Sequence, residues 1–493
     1  MDREALLKRV EKPGRYIGGE FGETLKDKTK MDARWAFCFP DTYEIGMSNL
    51  GIRILAGALN NMENVWCERC FAPWCDMEEA MRAENIPLWA LESGDPLTDF
   101  DIVAFTLQYE LCFSNVLNML DLAHIPLRAS DRGEEYPIII GGGPATYNSE
   151  PVADFFDVFS IGEGEEALPE FTELYIKMKK DGSYTKEKFL RAAAKLDGFY
   201  VPSLYEVSYN EDGTIKSFSP KYDDVPAVVT KRIIKDLDHV YFPDKLVMPY
   251  IETVHDRIVL EINRGCIRGC RFCQAGMVYR PVREKSPETL DETAKKIYKN
   301  TGYEEISLSS LSVSDYSRLP ELCDRLLSWT DDEKVSLSLP SQRIDAFTEE
   351  LMKRVSSVRG SGVTFAPEAG TQRLRDVINK NVTEEDLLRS CRVVFGFGKN
   401  TVKLYFMNGL PTETKEDIAG IADLAKKVIE EYYATPERVK GRAPTVTVSV
   451  SCFIPKPFTP FQWEAQNSLE ELRDKQMYLA TLITDKKIRY NWQ

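Results

Sequence analysis

Three cysteines in the segment NRGCIRGCRFC, Cys266, Cys270 and Cys273, have the spacing best suited to chemistry in this chain. Cysteine makes up roughly 2% of the residues. Chance would then supply about 0.005 C-x3-C-x2-C triplets in a chain of this length, so ligation explains the pattern. Three thiolates on one tight loop can hold three irons of a 4Fe–4S cubane and leave the fourth iron open. An open coordination position is what separates a catalytic metal site from a closed structural one. The competing reading is a zinc knuckle with a distant fourth ligand, but no His or Cys follows at finger spacing. Around the triplet, residues 257–285 carry seven basic side chains (Arg257, Arg264, Arg268, Arg271, Arg280, Arg283, Lys285) against Glu261 and Glu284. Positive charge there would stabilise an anionic cluster, although the outer arginines also fit a solvated face.

The elements that must position this loop follow a βα rhythm. Strand candidates are 257–263, 305–311, 335–340, 362–367, 401–407 and 445–454, with helix candidates between them, including RIDAFTEELMKRVSS at 343–357. Six strand–helix repeats predict a partial (β/α)6 barrel of the TIM type, with its chemistry at the C-terminal strand ends. The cysteine loop follows the first of these strands. The 413–433 helix, acidic early and basic later, reads as an ordinary barrel helix.

Upstream, the apolar runs RWAFCFP, 101–107, 137–143 and 157–165 read as strands buried on both faces, and predict an α/β domain with a parallel sheet. Two of them run into turns at Gly141–Gly143 and Gly162–Glu165, at the sheet edge where ligands sit. NEDG at 210–213 predicts a β-hairpin turn. The expected organisation is an N-terminal arm (1–30), an α/β domain (31–180), a connector with a hairpin (181–250), the barrel (251–465) and a C-terminal segment (466–493) that reads as truncated.

Composition bounds the function. The chain has 493 residues, 43% hydrophobic and 29% charged, the balance of a globular protein of two or three domains. No run of about 18 apolar residues predicts a membrane span, and the charged N-terminus lacks a signal-peptide core. A cytoplasmic location is expected. A net charge of −15 disfavours non-specific nucleic-acid binding. Eleven cysteines without an export signal read as thiols or ligands. Only His124, His239 and His255 are present, so Ser-His-Asp and zinc-hydrolase chemistry are poorly supplied. His255, beside Asp256, reads as a satisfied interface residue.

The triplet, with Phe272 before its last cysteine and a βα barrel behind it, resembles the radical S-adenosylmethionine (SAM) superfamily. That resemblance implies a 4Fe–4S cluster whose open iron chelates SAM, and reductive cleavage of SAM to a 5′-deoxyadenosyl radical. It also implies an electron donor such as flavodoxin or ferredoxin. VTFAPEAGTQRLRDVINKNVTEEDL resembles the family's fourth-strand segment, which implies a SAM contact at Glu368. YFMNGLPTETKEDI resembles the fifth, which implies that Asn408, Gly409, Leu410 and Pro411 approach the adenine through backbone groups. SLSSLSVSDY stands where the family often holds the SAM amine on a glycine-glycine-glutamate motif, leaving Ser309 and Ser310 as the nearest candidates.

The upstream sheet resembles the Rossmann-like (flavodoxin-like) domain of the cobalamin-binding branch. Candidate cobalamin residues are then Asp41, Tyr43, Gly46, Thr106, Gly141, Gly142, Gly143 and Glu163. The branch's Asp-x-His-x-x-Gly signature is Asp41-x-Tyr43-x-x-Gly46 here. Either cobalamin binds without a protein axial ligand or the domain keeps the fold without the cofactor. With cobalamin, the resemblance implies methyl transfer to an unactivated carbon. Cys67, Cys70 and Cys75 form a second local group, read as small residues of a half-buried loop or as metal ligands. Cys38, Cys75 and Cys112, spaced by 37, resemble at a distance the auxiliary-cluster cysteines of methylthiotransferases, which keeps sulfur insertion as an alternative. A non-catalytic iron–sulfur or electron-transfer protein is another. The substrate is not named by the sequence.

Overall fold

The computed structural model describes residues 3–340, 343–344 and 363–492. The chain forms two compact units, Met1–Asp256 with Lys296–Gly302, and Arg257–Lys295 with Tyr303–Gln493.

The first unit is built on β1 (Ala33–Phe39), β2 (Val65–Phe71), β3 (Ile102–Thr106), β4 (Ile138–Gly142), β5 (Val158–Ser160) and β6 (Phe199–Tyr200). They lie in the order β2-β1-β3-β4-β5-β6, the first five parallel and β6 antiparallel. This is the flavodoxin-like order expected, with its switch point between β1 and β3. Helices α1 (Leu50–Asn60) and α2 (Gly164–Lys180) belong to the βα connections, and Asn49 caps α1 by accepting the Ile52 amide. The four apolar runs form β1, β3, β4 and β5. The sequence reading missed β2, because VWCERCF carries Glu68 and Arg69 at its centre.

Both charges are buried and neutralised. Arg34 pairs with Glu68 at 2.5 Å, and Arg69 pairs with Glu20 and Glu92 at 2.6 Å each. Removing one member would leave another charge buried alone. The hairpin forms where NEDG turns, as β7 (Tyr205–Tyr209) and β8 (Ile215–Pro220). Beyond it, the chain returns to β5 through a bridge between Gly162 and Arg232.

The second unit has two parallel sheets. One comprises β9 (Ile258–Glu261), β12 (Glu305–Ser309) and β13 (Ser336–Ser338) in the order β13-β12-β9. The other comprises β14 (Val363–Glu368), β15 (Thr401–Asn408), β16 (Thr445–Cys452) and β17 (Ile488–Trp492) in sequence order. Between β9 and β12, a short antiparallel ribbon joins β10 (Asn263–Arg264) to β11 (Arg283–Glu284). All six expected strands are present. The helix expected at 343–357 lies outside the described residues beyond Ile344. The C-terminal segment adds a seventh parallel strand, β17, after a helix capped by Ser468.

Alternation on β15 and β16 explains the layering. Val402, Leu404, Phe406, Val446, Val448 and Val450 pack against Ile418, Ile421 and Val428 of α3 (Lys415–Ala434). The alternate positions, Lys403, Tyr405, Ser449 and Ser451, are polar and only partly buried or exposed. No described helix is long and apolar enough to cross a membrane.

Candidate functional site

The cysteine loop is closed at its base by the β10–β11 ribbon. Gly265 sits at φ 89°, where a Cβ would lie 2.8 Å from the carbonyl oxygens of Tyr279 and Pro281. Only glycine lets the two limbs meet there. Cys266, Cys270 and Cys273 are partly exposed on this loop. Arg280 Nε donates to the Cys266 carbonyl at 3.2 Å, and the Gly276 amide donates to Cys273 Sγ at 3.4 Å. Burial pushes the Cys270 thiol up, and the positive charges of Lys380 and Arg343 oppose that shift. Among the described residues no three His, Cys, Asp or Glu side chains converge as they would around a single ion. A cluster takes its thiolates farther apart, because iron and sulfide stand between them.

A second segment clasps the loop. The chain leaving the helix α4 of this site, Gln372–Val377, turns through Asn379 and Asn381, both left-handed at φ 54° and 52°. Asn379 Nδ2 donates to the Gly269 carbonyl at 2.9 Å, and the Arg271 amide donates to the Ile378 carbonyl at 3.0 Å. Phe272 packs against the cluster of Ala369, Leu374, Ile378, Leu410, Phe453 and Phe461. Glu368 ends β14 at φ 68°, after a bulge, and accepts from Lys380 Nζ at 3.0 Å. A non-glycine residue held in that region marks strain retained for a purpose. Phe272, Glu368 and Leu410, expected to serve one ligand, are thus drawn to one place. Lys380 and Asn379 were missed. Their signal is the Asn-Lys-Asn triplet, since Asn tolerates left-handed backbone.

At the end of β15, Asn408 is fully buried and neither of its side-chain amide atoms has a partner. An orphaned amide of this kind fits a ligand that completes its hydrogen bonds. Gly409, at φ 83°, gives its amide to Glu413 at 2.9 Å, and Glu413 is held by Lys475 at 2.7 Å. That amide is thus engaged within its own turn, and Pro411 has no amide. Ser309 pairs in register with Glu261, and Ser310 Oγ accepts the Ser312 amide within its own turn at 3.0 Å. The basic surround is also smaller than the sequence suggested. Arg257, Arg264 and Arg268 are paired with Glu305, Glu261 and Asp315.

In the first unit, a small cleft of about 60 Å³ opens at the C-terminal ends of β3, β4 and β5, lined in part by Thr106, Gln108, Gly142, Gly143, Ser160 and Leu168. Thr106 Oγ1 is buried without a hydrogen-bond partner. A Cβ on Gly142 would meet nothing within 4 Å, so the cleft comes up to the backbone there. On Gly143, at φ 109°, a Cβ would lie 2.7 Å from the Leu107 carbonyl oxygen. These features fit a ligand approached through backbone groups, as a cobalamin tail would be.

The other cobalamin candidates have partners within the fold. Tyr43 is buried and donates to Glu20 Oε1 at 2.5 Å, and burial and that carboxylate hold its hydroxyl well above the usual range. Gly46 abuts the Phe71 ring, and a Cβ on Gly141 would lie 2.8 Å from Phe159. Glu163 accepts the Ile234 amide at 2.5 Å, and Asp41 accepts the Thr42 amide at 2.7 Å. No histidine lines the cleft.

The upstream cysteines are mostly part of the sheet. Cys67 and Cys70 are buried within β2, and Cys38, on β1, is the register partner of Cys70. Burial pushes the Cys38 and Cys67 thiols well up, which lowers their reactivity. Cys75 is exposed, whereas Cys112 is buried. His255 is exposed, and its backbone amide donates to Ser48 Oγ at 3.0 Å.

Comparison with known proteins gives this geometry a context. Residues 51–202 match the family described as radical SAM proteins, N-terminal, and residues 260–425 match the radical SAM superfamily. An uncharacterized protein of Methanocaldococcus jannaschii, MJ0966, is 31% identical over 468 residues, spanning 94% of this chain and 86% of that protein. The radical SAM methyltransferase TsrM from Kitasatospora setae, solved with cobalamin and a 4Fe–4S cluster, superposes with a TM-score of 0.56 at 13% identity. That match covers 87% of this chain and 77% of TsrM. The cobalamin-dependent SAM radical enzyme OxsB, solved with aqua-cobalamin and SAM, gives a TM-score of 0.52 at 15% identity, over 91% of this chain and 56% of OxsB. At these identities the two structures share a fold with this chain.

Proposed function

The chain belongs to the radical SAM superfamily, and from that premise we propose that it is a cobalamin-dependent radical SAM methyltransferase acting at an unactivated carbon. The observation that carries the reading is the pinned loop of Cys266, Cys270 and Cys273, clasped beside Glu368 and Phe272. When bound, the cluster supplies the electron that cleaves the sulfonium bond of SAM, and cobalamin supplies a methyl carrier.

The protein's own residues do the rest. Cys266, Cys270 and Cys273 would hold the cluster through their thiolates. Glu368 receives a polar group of SAM, and the buried Asn408 amide supplies a donor and an acceptor beside it. Phe272 and Leu410 exclude water from that contact. In the first unit, Thr106 offers a hydroxyl to cobalamin, and Gly142 and Gly143 admit its tail against the backbone. No histidine is among the described residues that line the cleft and Tyr43 is engaged by Glu20, so Thr106 and the glycine backbone are the groups this cleft would offer cobalamin. A low-potential donor such as flavodoxin or ferredoxin is required. TsrM, solved with cobalamin and a 4Fe–4S cluster, and OxsB, solved with aqua-cobalamin and SAM, support the reading at the level of shared fold.

The test is anaerobic reconstitution with iron and sulfide, followed by dithionite and SAM. 5′-Deoxyadenosine or S-adenosylhomocysteine should form in the wild type and be lost in the Cys266→Ala/Cys270→Ala/Cys273→Ala variant. Hydroxocobalamin should stay with the protein through gel filtration. Cleavage without retained cobalamin removes the methyl-transfer reading. A cluster that never cleaves SAM removes the enzyme reading.

A further inference from the structure

A largely buried cation, Lys380, stands between Glu368 and Phe272 of the cysteine loop. Lys380 Nζ lies 3.0 Å from Glu368 Oε1 and 6.0 Å from the centre of the Phe272 ring. The side chains of the pair are only 13% and 16% exposed, so solvent screens them weakly. The backbone that presents the lysine is fixed on both sides. Asn379 and Asn381 flank it in the left-handed region, its own amide donates to the Arg375 carbonyl at 2.9 Å, and Asn379 reaches the carbonyl of Gly269. Glu368 also stands in the left-handed region. Glu368 is thus held in a costly conformation, and a turn of two left-handed asparagines presents its partner, more constraint than a surface salt bridge receives.

We propose that Lys380 is a positioning residue with two linked effects: it fixes the Glu368 carboxylate for SAM, and it sets a permanent positive charge beside the cluster. This rests on reading Cys266, Cys270 and Cys273 as cluster ligands. Reducing a thiolate-bound cluster adds negative charge, so a fixed cation nearby favours the reduced form and a fixed anion opposes it. Lys380 and Glu368 therefore act on the cluster potential with opposite sign. The charge of Lys380 reaches the loop: Nζ lies 6.0 Å from the ring centre of Phe272, the residue next to Cys273.

The experiment uses the full chain, reconstituted anaerobically, in four forms: wild type, Lys380→Met, Lys380→Arg and Glu368→Gln. The cluster midpoint potential is read by EPR-monitored titration without SAM, and SAM affinity by equilibrium dialysis. Lys380→Met should shift the midpoint to lower potential and weaken SAM binding about tenfold, the scale of one charge-assisted hydrogen bond. Lys380→Arg should restore both. Glu368→Gln should shift the midpoint the other way, and adding Lys380→Met to it should cost little further SAM affinity. A wild-type midpoint and affinity in Lys380→Met would overturn the proposal, as would same-sign shifts for the two residues. Absence of a four-iron, four-sulfide cluster from the wild type would instead overturn the functional reading beneath it.

Discussion

Parallel strands end in candidate sites in both units, but the first unit leaves its edge open where the second fills it. At β3, β4 and β5 the edge is a cleft with glycine at 142 and 143 and one unsatisfied hydroxyl, Thr106. At β14 and β15 the edge is cross-linked, by Lys380 to Glu368, Glu413 to the Gly409 amide and Asn379 to Gly269. Non-glycine residues with positive φ follow the same division. The second unit has Glu368, Asn379, Asn381 and Thr412 around its site, whereas Asn85 and His124 of the first unit line no part of the cleft. The difference fits two kinds of cofactor. A large rigid ligand brings its own shape and needs room, whereas an inorganic cluster needs ligands arranged before it arrives.

The sharpest way to break this contrast is Gly265→Val, which keeps all three cysteines and removes only the closure of their loop. Iron and sulfide content after reconstitution should fall to background, while cobalamin retention stays at the wild-type level. Loss of both would mean that the two edges are not independent devices. Arg69→Leu addresses the first unit alone. It leaves Glu20 and Glu92 buried without their cation, and should lower unfolding free energy by about 3–5 kcal/mol in urea titration. A loss below 1 kcal/mol would show that the carboxylates find other partners.

Next in size is Gly142→Phe, which puts a ring where a Cβ meets open space. Cobalamin affinity should drop about 100-fold or more, roughly 2.7 kcal/mol, with cluster content unchanged. Unaltered cobalamin binding would place that ligand elsewhere.

The smallest effect is expected at alkaline pH. Burial raises the hydroxyls of Tyr43, Tyr175 and Tyr200 in the first unit, and Tyr184 is pushed up to about 12. In the second unit burial raises the hydroxyl of Tyr490. Each group is protonated in the fold at a pH where the unfolded chain has ionised. The stability they contribute is therefore complete below pH about 10 and is lost as pH climbs toward their folded values. Tyrosinate absorbance should rise in two phases, the later one accompanying loss of the first unit's structure. A single phase near pH 10 would show those tyrosines to be accessible.

Much of this was legible in the residues, for reasons that also explain the failures. The cysteine loop declares itself because ligand spacing is local in sequence, and β1, β3, β4 and β5 because doubly buried strands are continuously apolar. Strand β2 hid behind Glu68 and Arg69, whose neutralising partners Arg34, Glu20 and Glu92 are distant in sequence. Strand β17 hid because IRYNW alternates polar residues across a half-exposed face. Tyr43 has the spacing of a ligand, and only contact with Glu20 shows it to be part of the core. Lys380 is one lysine among many until Glu368 is found 3.0 Å away.

The ribbon of Asn263–Arg264 with Arg283–Glu284 joins the ends of the cysteine loop through its own backbone pairing, which uses no cysteine side chain. Joining the ends of a flexible loop costs chain entropy, and the ribbon meets that part of the cost. Loading the cluster then has less disorder to suppress. A molecule stripped of its iron by oxygen should keep the outline of its loop and refill without refolding, so damage to the cofactor and damage to the protein are separate events.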